Sequence, residues 1–177
     1  MGSCLDAVTS FEASSKADWL HISPKHLWYK CQSFEMLSIS MPIKYFINKD
    51  LGLTLVRWYG LVTAEEFLAH THKLTSDSDW PPFRFLHFTD LRTVTLHESV
   101  DDNILLQIAE IYRAHPKVRN FKIAVVAGEV FDRATVFQRL VQTYMSVIVF
   151  HSFSTACVWL NISPEKTEQT LDSLVPH

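Results

Sequence analysis

Hydrophobic and polar positions are most regular between Phe121 and Phe150, FKIAVVAGEVFDRATVFQRLVQTYMSVIVF. An unbroken apolar run from Ile123 to Ala127 stops at Gly128, an amphipathic segment follows, and a second apolar run covers Val147 to Phe150. Runs without polar alternation suit strands covered on both faces, so the stretch predicts strand, helix, strand in the middle of an α/β sheet. Upstream, Ile43 to Asn48 and Leu53 to Gly60 are strand-like and are joined by Asn48-Lys49-Asp50-Leu51-Gly52, a turn-rich link that predicts an antiparallel hairpin. In the second run Leu53, Leu55, Arg57 and Tyr59 share one face, and Thr54, Val56 and Trp58 the other.

Thr63 and Glu66 have capping-box spacing, which predicts a helix to Ser76 with Phe67, Leu68, Thr71 and Leu74 toward the core. Asp77 to Pro82 holds Trp80-Pro81-Pro82 and reads as a loop. Phe83 to Leu91 reads as the third strand and Arg92 to Glu98 as its exit loop. Ser99 is placed to cap a helix whose apolar stripe is Val100, Ile104, Leu105, Ile108, Ile111 and Tyr112, and which ends at His115-Pro116. Ser154 is expected to cap a short last helix through Leu160, leaving residues 163–177 as a loose polar tail. The element order is ββαβαβαβα. Crossover helices make the later strands parallel and the first hairpin supplies an antiparallel pair, so the fold class is α/β with a mixed sheet of about five strands.

Residues 41–162 form the expected domain. Residues 1–40 lack sustained periodicity. They are open to two readings: an ordered extension that packs Trp19, Leu27, Trp28 and Tyr29 on the domain, or a disordered segment upstream of a start at Met41, outside the native domain. A length of 177 residues suits one domain with some excess. Sixteen basic residues against 19 acidic ones give a net charge of −3, and the few basic residues of the C-terminal part are scattered, which argues against nucleic acid or an anionic membrane as the main partner. Three cysteines, Cys4, Cys31 and Cys157, form an odd set without CxxC spacing and suggest neither a disulfide framework nor a zinc site. There is no apolar run of signal-peptide or membrane-spanning length, so a cytoplasmic protein is expected.

Several local phrases carry a resemblance. They are Gly60-Leu61-Val62-Thr63-Ala64-Glu65-Glu66, Asp90-Leu91-Arg92, Ile123-Ala124-Val125-Val126-Ala127, Phe131-Asp132-Arg133-Ala134-Thr135-Val136-Phe137, and Val149-Phe150 followed by Ala156-Cys157-Val158-Trp159-Leu160. In this order, over Met41 to Leu160, they resemble the STAS or SpoIIAA-like fold family, in particular its uncharacterised bacterial single-domain members. The resemblance implies a regulatory or protein-interaction domain rather than an enzyme. In the anti-anti-sigma branch a serine of an Asp-Ser-Ser-Gly turn is phosphorylated; the matching stretch here is His97-Glu98-Ser99-Val100-Asp101, in which only Ser99 is retained. The third helix of the uncharacterised group often has a Gly-x-Ala-Arg pattern, where this chain has Asp132-Arg133-Ala134-Thr135.

Ser99 is thus the candidate phosphorylation site, with a plain helix cap as the simpler role. Asp90 and Arg92 at a strand exit, with His97, Glu98, Gly128, Glu129 and Arg133, compose the candidate partner or ligand surface, at the sheet end where open α/β folds hold ligands. No nucleophile with an adjacent base is evident among them, and Gly128 alone is no phosphate loop. Nine histidines invite a metal, yet His70 and His72 lie two apart on a helix and point about 200° from each other, and no i, i+4 pair exists. His87, among apolar neighbours, is expected to be a hydrogen-bonded core imidazole. The heavy aromatic content leaves room for an apolar pocket or a dimer face. The expected function is therefore a non-enzymatic, cofactor-free interaction domain whose partner is another protein or a second copy; the alternatives are a binder of a small apolar ligand between sheet and helices, and an enzyme using Asp90, His97 and Glu98.

Overall fold

The computed structural model describes residues 42–175. The two readings of residues 1–40 and the proposed start at Met41 lie outside the described residues. A five-stranded mixed sheet runs in sequence order, β1 (Ile43–Asn48), β2 (Leu53–Val62), β3 (Leu86–Leu96), β4 (Lys122–Ala127) and β5 (Ser146–Phe150). β1 and β2 pair antiparallel through the expected hairpin, and every later pairing is parallel. Gly52 closes the hairpin at φ +60, and a Cβ there would stand 2.8 Å from the Arg84 side chain, so both conformation and space call for glycine.

Helices α1 (Ala64–Thr75), α2 (Asp102–Ala114) and α3 (Phe131–Val141) are the three crossovers. Because the strands succeed one another in a single direction and such crossovers are right-handed, all three helices fall on one face. There Val56, Trp58, Ile123 and Val125 of the sheet share a core with Ile108, Tyr112 and Val141. The chain then turns to the other face, where α4 (Phe153–Leu160) and α5 (Pro164–Asp172) cover Leu53, Leu55, Phe88, Ala124 and Val126. Residues buried on both faces explain the unbroken apolar runs of β4.

The capping box at Thr63 and Glu66 forms as expected. Several boundaries differ from the sequence reading. β3 starts at Leu86 and runs on to Leu96, because the long β2 keeps offering partners: Thr93, Val94, Thr95 and Leu96, read as an exit loop, pair with Tyr59, Gly60, Leu61 and Val62. The cap of α2 is Asp101, whose carboxylate accepts from the Ile104 N–H at 2.9 Å, and not Ser99. Ser152, not Ser154, caps α4. The loose tail is instead α5, begun by the Ser163 cap with Pro164 in its first turn and anchored by Leu171, which is fully buried. Its sequence is mostly polar because only one narrow stripe meets the sheet.

Candidate functional site

Alternation along β3 sends its side chains to two different environments. Phe88, Asp90 and Arg92 face α4 and α5, while His87, Thr89 and Leu91 face α1 to α3. Asp90 is fully buried. Its carboxylate accepts from Arg57 Nη1, from the Arg92 backbone N–H at 3.0 Å and from Arg92 Nη2 at 2.8 Å. Arg92 Nη2 also reaches Glu168 Oε1 on α5 at 2.8 Å, and its guanidinium lies 4.3 Å from the Phe153 ring centroid. The Asp90 hydrogen bond holds the Arg92 guanidinium more firmly protonated than usual, against the opposing effect of burial. A buried charge so fully paired is a tie between sheet and helix. Asp90 is therefore withdrawn from solvent, and it is not among the residues that line the groove holding His97 and Glu98.

The rest of the expected surface partly assembles. A groove beyond the end of β3 is lined by Thr95, Leu96, His97, Glu98, Val100, Glu129, Val130, Asp132 and Arg133. It brings His97, Glu98, Glu129 and Arg133 together and leaves out Arg92. Arg133 is half-buried and ion-paired with Asp102 at the start of α2. Gly128 serves packing: a Cβ there would come within 3.2 Å of the Arg92 carbonyl oxygen. Ser99, exposed beside the groove, accepts from the Ala64 N–H at 3.1 Å and lies 3.0 Å from His97 Nδ1. That nitrogen also receives the Ser99 backbone N–H at 3.1 Å. The pair stitches the β3–α2 loop to the first turn of α1; it does not aim a nucleophile at an open site.

Between the sheet and helices α1 to α3, where the sequence reading allowed for an apolar pocket, lies a cavity of about 80 Å³ whose lining residues that reading did not name. Its walls are mainly apolar, with Val56, Trp58, Phe67, Leu105, Val125 and Phe137 among them, and it shares Leu96, Val130 and Arg133 with the groove. His70, His87 and Thr89 supply polar groups. His87 is buried, its Nε2 is 2.9 Å from Thr89 Oγ1, and its Nδ1 has no hydrogen-bond partner among the described residues. Burial lowers His87 to about 4 and His70 to about 3, the repulsion that a protonated His87 would exert and the charge of Lys73 adding to the second shift, so both rings are neutral near pH 7. Burial likewise pushes the Tyr112 phenol above its ordinary value. A signal for this lining was present. His70 stands at i+3 from Phe67 and four before Leu74, on the core stripe of α1, and His87 and Thr89 stand among the buried apolar Leu86, Phe88 and Leu91 of β3.

Among the described residues no group of three His, Cys, Asp or Glu side chains is placed to hold a metal ion, and no helix is long and apolar enough to cross a membrane. Neither a protein-family description nor a curated protein matches the chain by sequence. Among solved structures, it is similar to an anti-sigma factor antagonist from Mycobacterium paratuberculosis, with 21% identity and a TM-score of 0.45 over 68% of this chain and 96% of that one. It is also similar to an uncharacterised DUF3478-family protein with a SpoIIAA-like fold from Shewanella loihica PV-4, with 18% identity and a TM-score of 0.45 over 67% of this chain and 91% of that one.

Proposed function

We propose that the chain is a non-enzymatic, STAS-like regulatory domain that takes a small apolar ligand into the cavity between β2–β4 and α1–α3, and presents the result to a protein partner at the adjoining rim. The observation that carries this reading is a buried His87 on the wall of a mainly apolar cavity, its Nδ1 without a hydrogen-bond partner among the described residues. A buried polar atom left without a hydrogen bond costs about 1–3 kcal/mol, a penalty that a ligand able to bond it would remove. The cavity is several times what one water needs, about 10–15 Å³. Its walls include Leu105 of α2 and Val130, Arg133, Ala134 and Phe137 at and beyond the start of α3. Filling it therefore bears on α3, which carries Asp132 and Arg133 to the rim, and on the turn before it that holds Glu129, beside His97, Glu98 and Ser99. The partner at that rim is another protein or a second copy of the chain.

Native mass spectrometry on gently purified protein tests the ligand half. A stoichiometric non-covalent adduct, released on denaturation, is expected. A bare protein whose Val56 and Val125 methyl signals ignore every apolar probe would refute it.

A second reading rests on Ser99, whose exposed hydroxyl sits at the first N–H of α1. A phosphate there would add about two negative charges next to a helix N-terminus, favourable for α1, though opposed by Asp101 and Asp102 of the neighbouring cap. A phosphopeptide mapped to Ser99 supports this reading, and full occupancy elsewhere with Ser99 unmodified counts against it.

A further inference from the structure

The polar groups in and around the cavity restrict what it accepts. Among the described lining residues the imidazoles of His70 and His87 are neutral, Thr89 Oγ1 is already in contact with His87 Nε2, and the one guanidinium, Arg133, is already ion-paired with Asp102. A buried ammonium or carboxylate without a counter-charge is strongly disfavoured. At the adjoining groove, Glu98, Glu129 and Asp132 make no hydrogen bond or ion pair among the described residues, while Arg133, which lines both groove and cavity, is held by Asp102. The groove is therefore negative and turns anions away.

What remains is an uncharged molecule that brings one hydrogen-bonding group to His87 Nδ1. Which ring nitrogen carries the proton depends on Thr89, whose hydroxyl can donate to Nε2 or accept from it. A ligand hydroxyl satisfies Nδ1 in either tautomer, because it can also do both. A carbonyl or ether oxygen satisfies only the tautomer with a proton on Nδ1.

We infer that the cavity takes a neutral apolar alcohol or phenol, whose hydroxyl bonds His87 Nδ1 while its hydrocarbon body packs against Val56, Trp58, Leu105 and Phe137. This rests on the apolar-ligand reading above and adds to it the ligand's charge and its polar group.

The test uses three probes with one body: toluene, p-cresol and p-toluate, titrated into the full chain at pH 7.4 by calorimetry and by methyl NMR. The expected result is p-cresol bound about tenfold or more tightly than toluene, the ratio a satisfied buried hydrogen bond supplies, with p-toluate bound more weakly than either. In His87→Leu the advantage of p-cresol over toluene should fall to about twofold or less, with toluene retained. Because that variant removes a core side chain, the imidazole nitrogen resonances of the unaltered protein give a second measure: p-cresol, and not toluene, should shift His87 Nδ1. Equal affinities for toluene and p-cresol with an unmoved Nδ1 would overturn the hydroxyl assignment and leave the apolar-ligand reading in place. Tight binding of p-toluate would overturn the neutral-ligand assignment in the same way. Failure of all three probes to move the Val56 and Val125 methyls would remove both readings together.

Discussion

Two neutral imidazoles buried on the wall of one cavity make this fold sensitive to mild acid. Burial lowers His70 from 6.5 to about 3 and His87 from 6.5 to about 4 in the folded protein. In the unfolded chain both return to ordinary values near 6.5. At pH 7 and above both states hold neutral rings and the two residues contribute no pH dependence. As the pH falls below the unfolded value, the unfolded chain gains protons that the folded one refuses, so stability declines from about pH 6.5 and levels off below the folded values. At pH 5, about 1.5 units below the unfolded pKa, each ring costs about 2 kcal/mol, or about 4 kcal/mol for the pair. His115 is partly buried and adds in the same direction. The carboxylates that the fold holds low, Asp77, Asp101 and Glu165, begin from ordinary values of 3.8, 3.8 and 4.5, so they act mainly below this window. Urea unfolding at pH 7 and pH 5, followed by tryptophan fluorescence, measures the difference. The wild type should lose about 4 kcal/mol, most of the stability of an ordinary domain, and the His70→Gln, His87→Gln double variant about 1 kcal/mol or less. An equal loss in both proteins would refute the assignment of acid sensitivity to these rings.

Asp90→Ala leaves Arg57 and Arg92 without their shared carboxylate and should cost about 3–5 kcal/mol in urea unfolding, whereas Glu168→Gln, at a partly exposed position, should cost about 1 kcal/mol or less. Leu171→Ala should cost about 2–5 kcal/mol by the same assay, because α5 belongs to the core; a loss near zero would return it to the status of a tail. Asp101→Ala should lower the melting temperature by the equivalent of about 1 kcal/mol through loss of the α2 cap, and Ser99→Ala should cost less than that.

Much of the architecture follows from local chemistry. The period-two pattern of β2, the unbroken run of β4, the capping box at Thr63 and the turn at Gly52 each act through neighbours in sequence, so the order of strands and crossovers was legible before any tertiary contact was known. The last helix was not, because Pro164 to Asp172 carries few apolar residues and takes its stability from Leu171 docking on a distant sheet. The length of β3 was decided by β2, whose extra residues kept pairing with the stretch that alone reads as a loop. Ser99 and Asp101 are both competent caps by residue type; the choice fell to Asp101 once Ser99 was drawn to the Ala64 amide of another helix. Asp90 reads in sequence as a polar strand exit, and only the packing of α4 and α5 turns it into a buried ion-pair centre. The cavity is the most tertiary feature of all. Its polar groups, His70 and His87, come from a helix and a strand and acquire their meaning from the apolar walls that close around them, since the free energy of a buried polar atom is set by what it faces and not by its place in the chain.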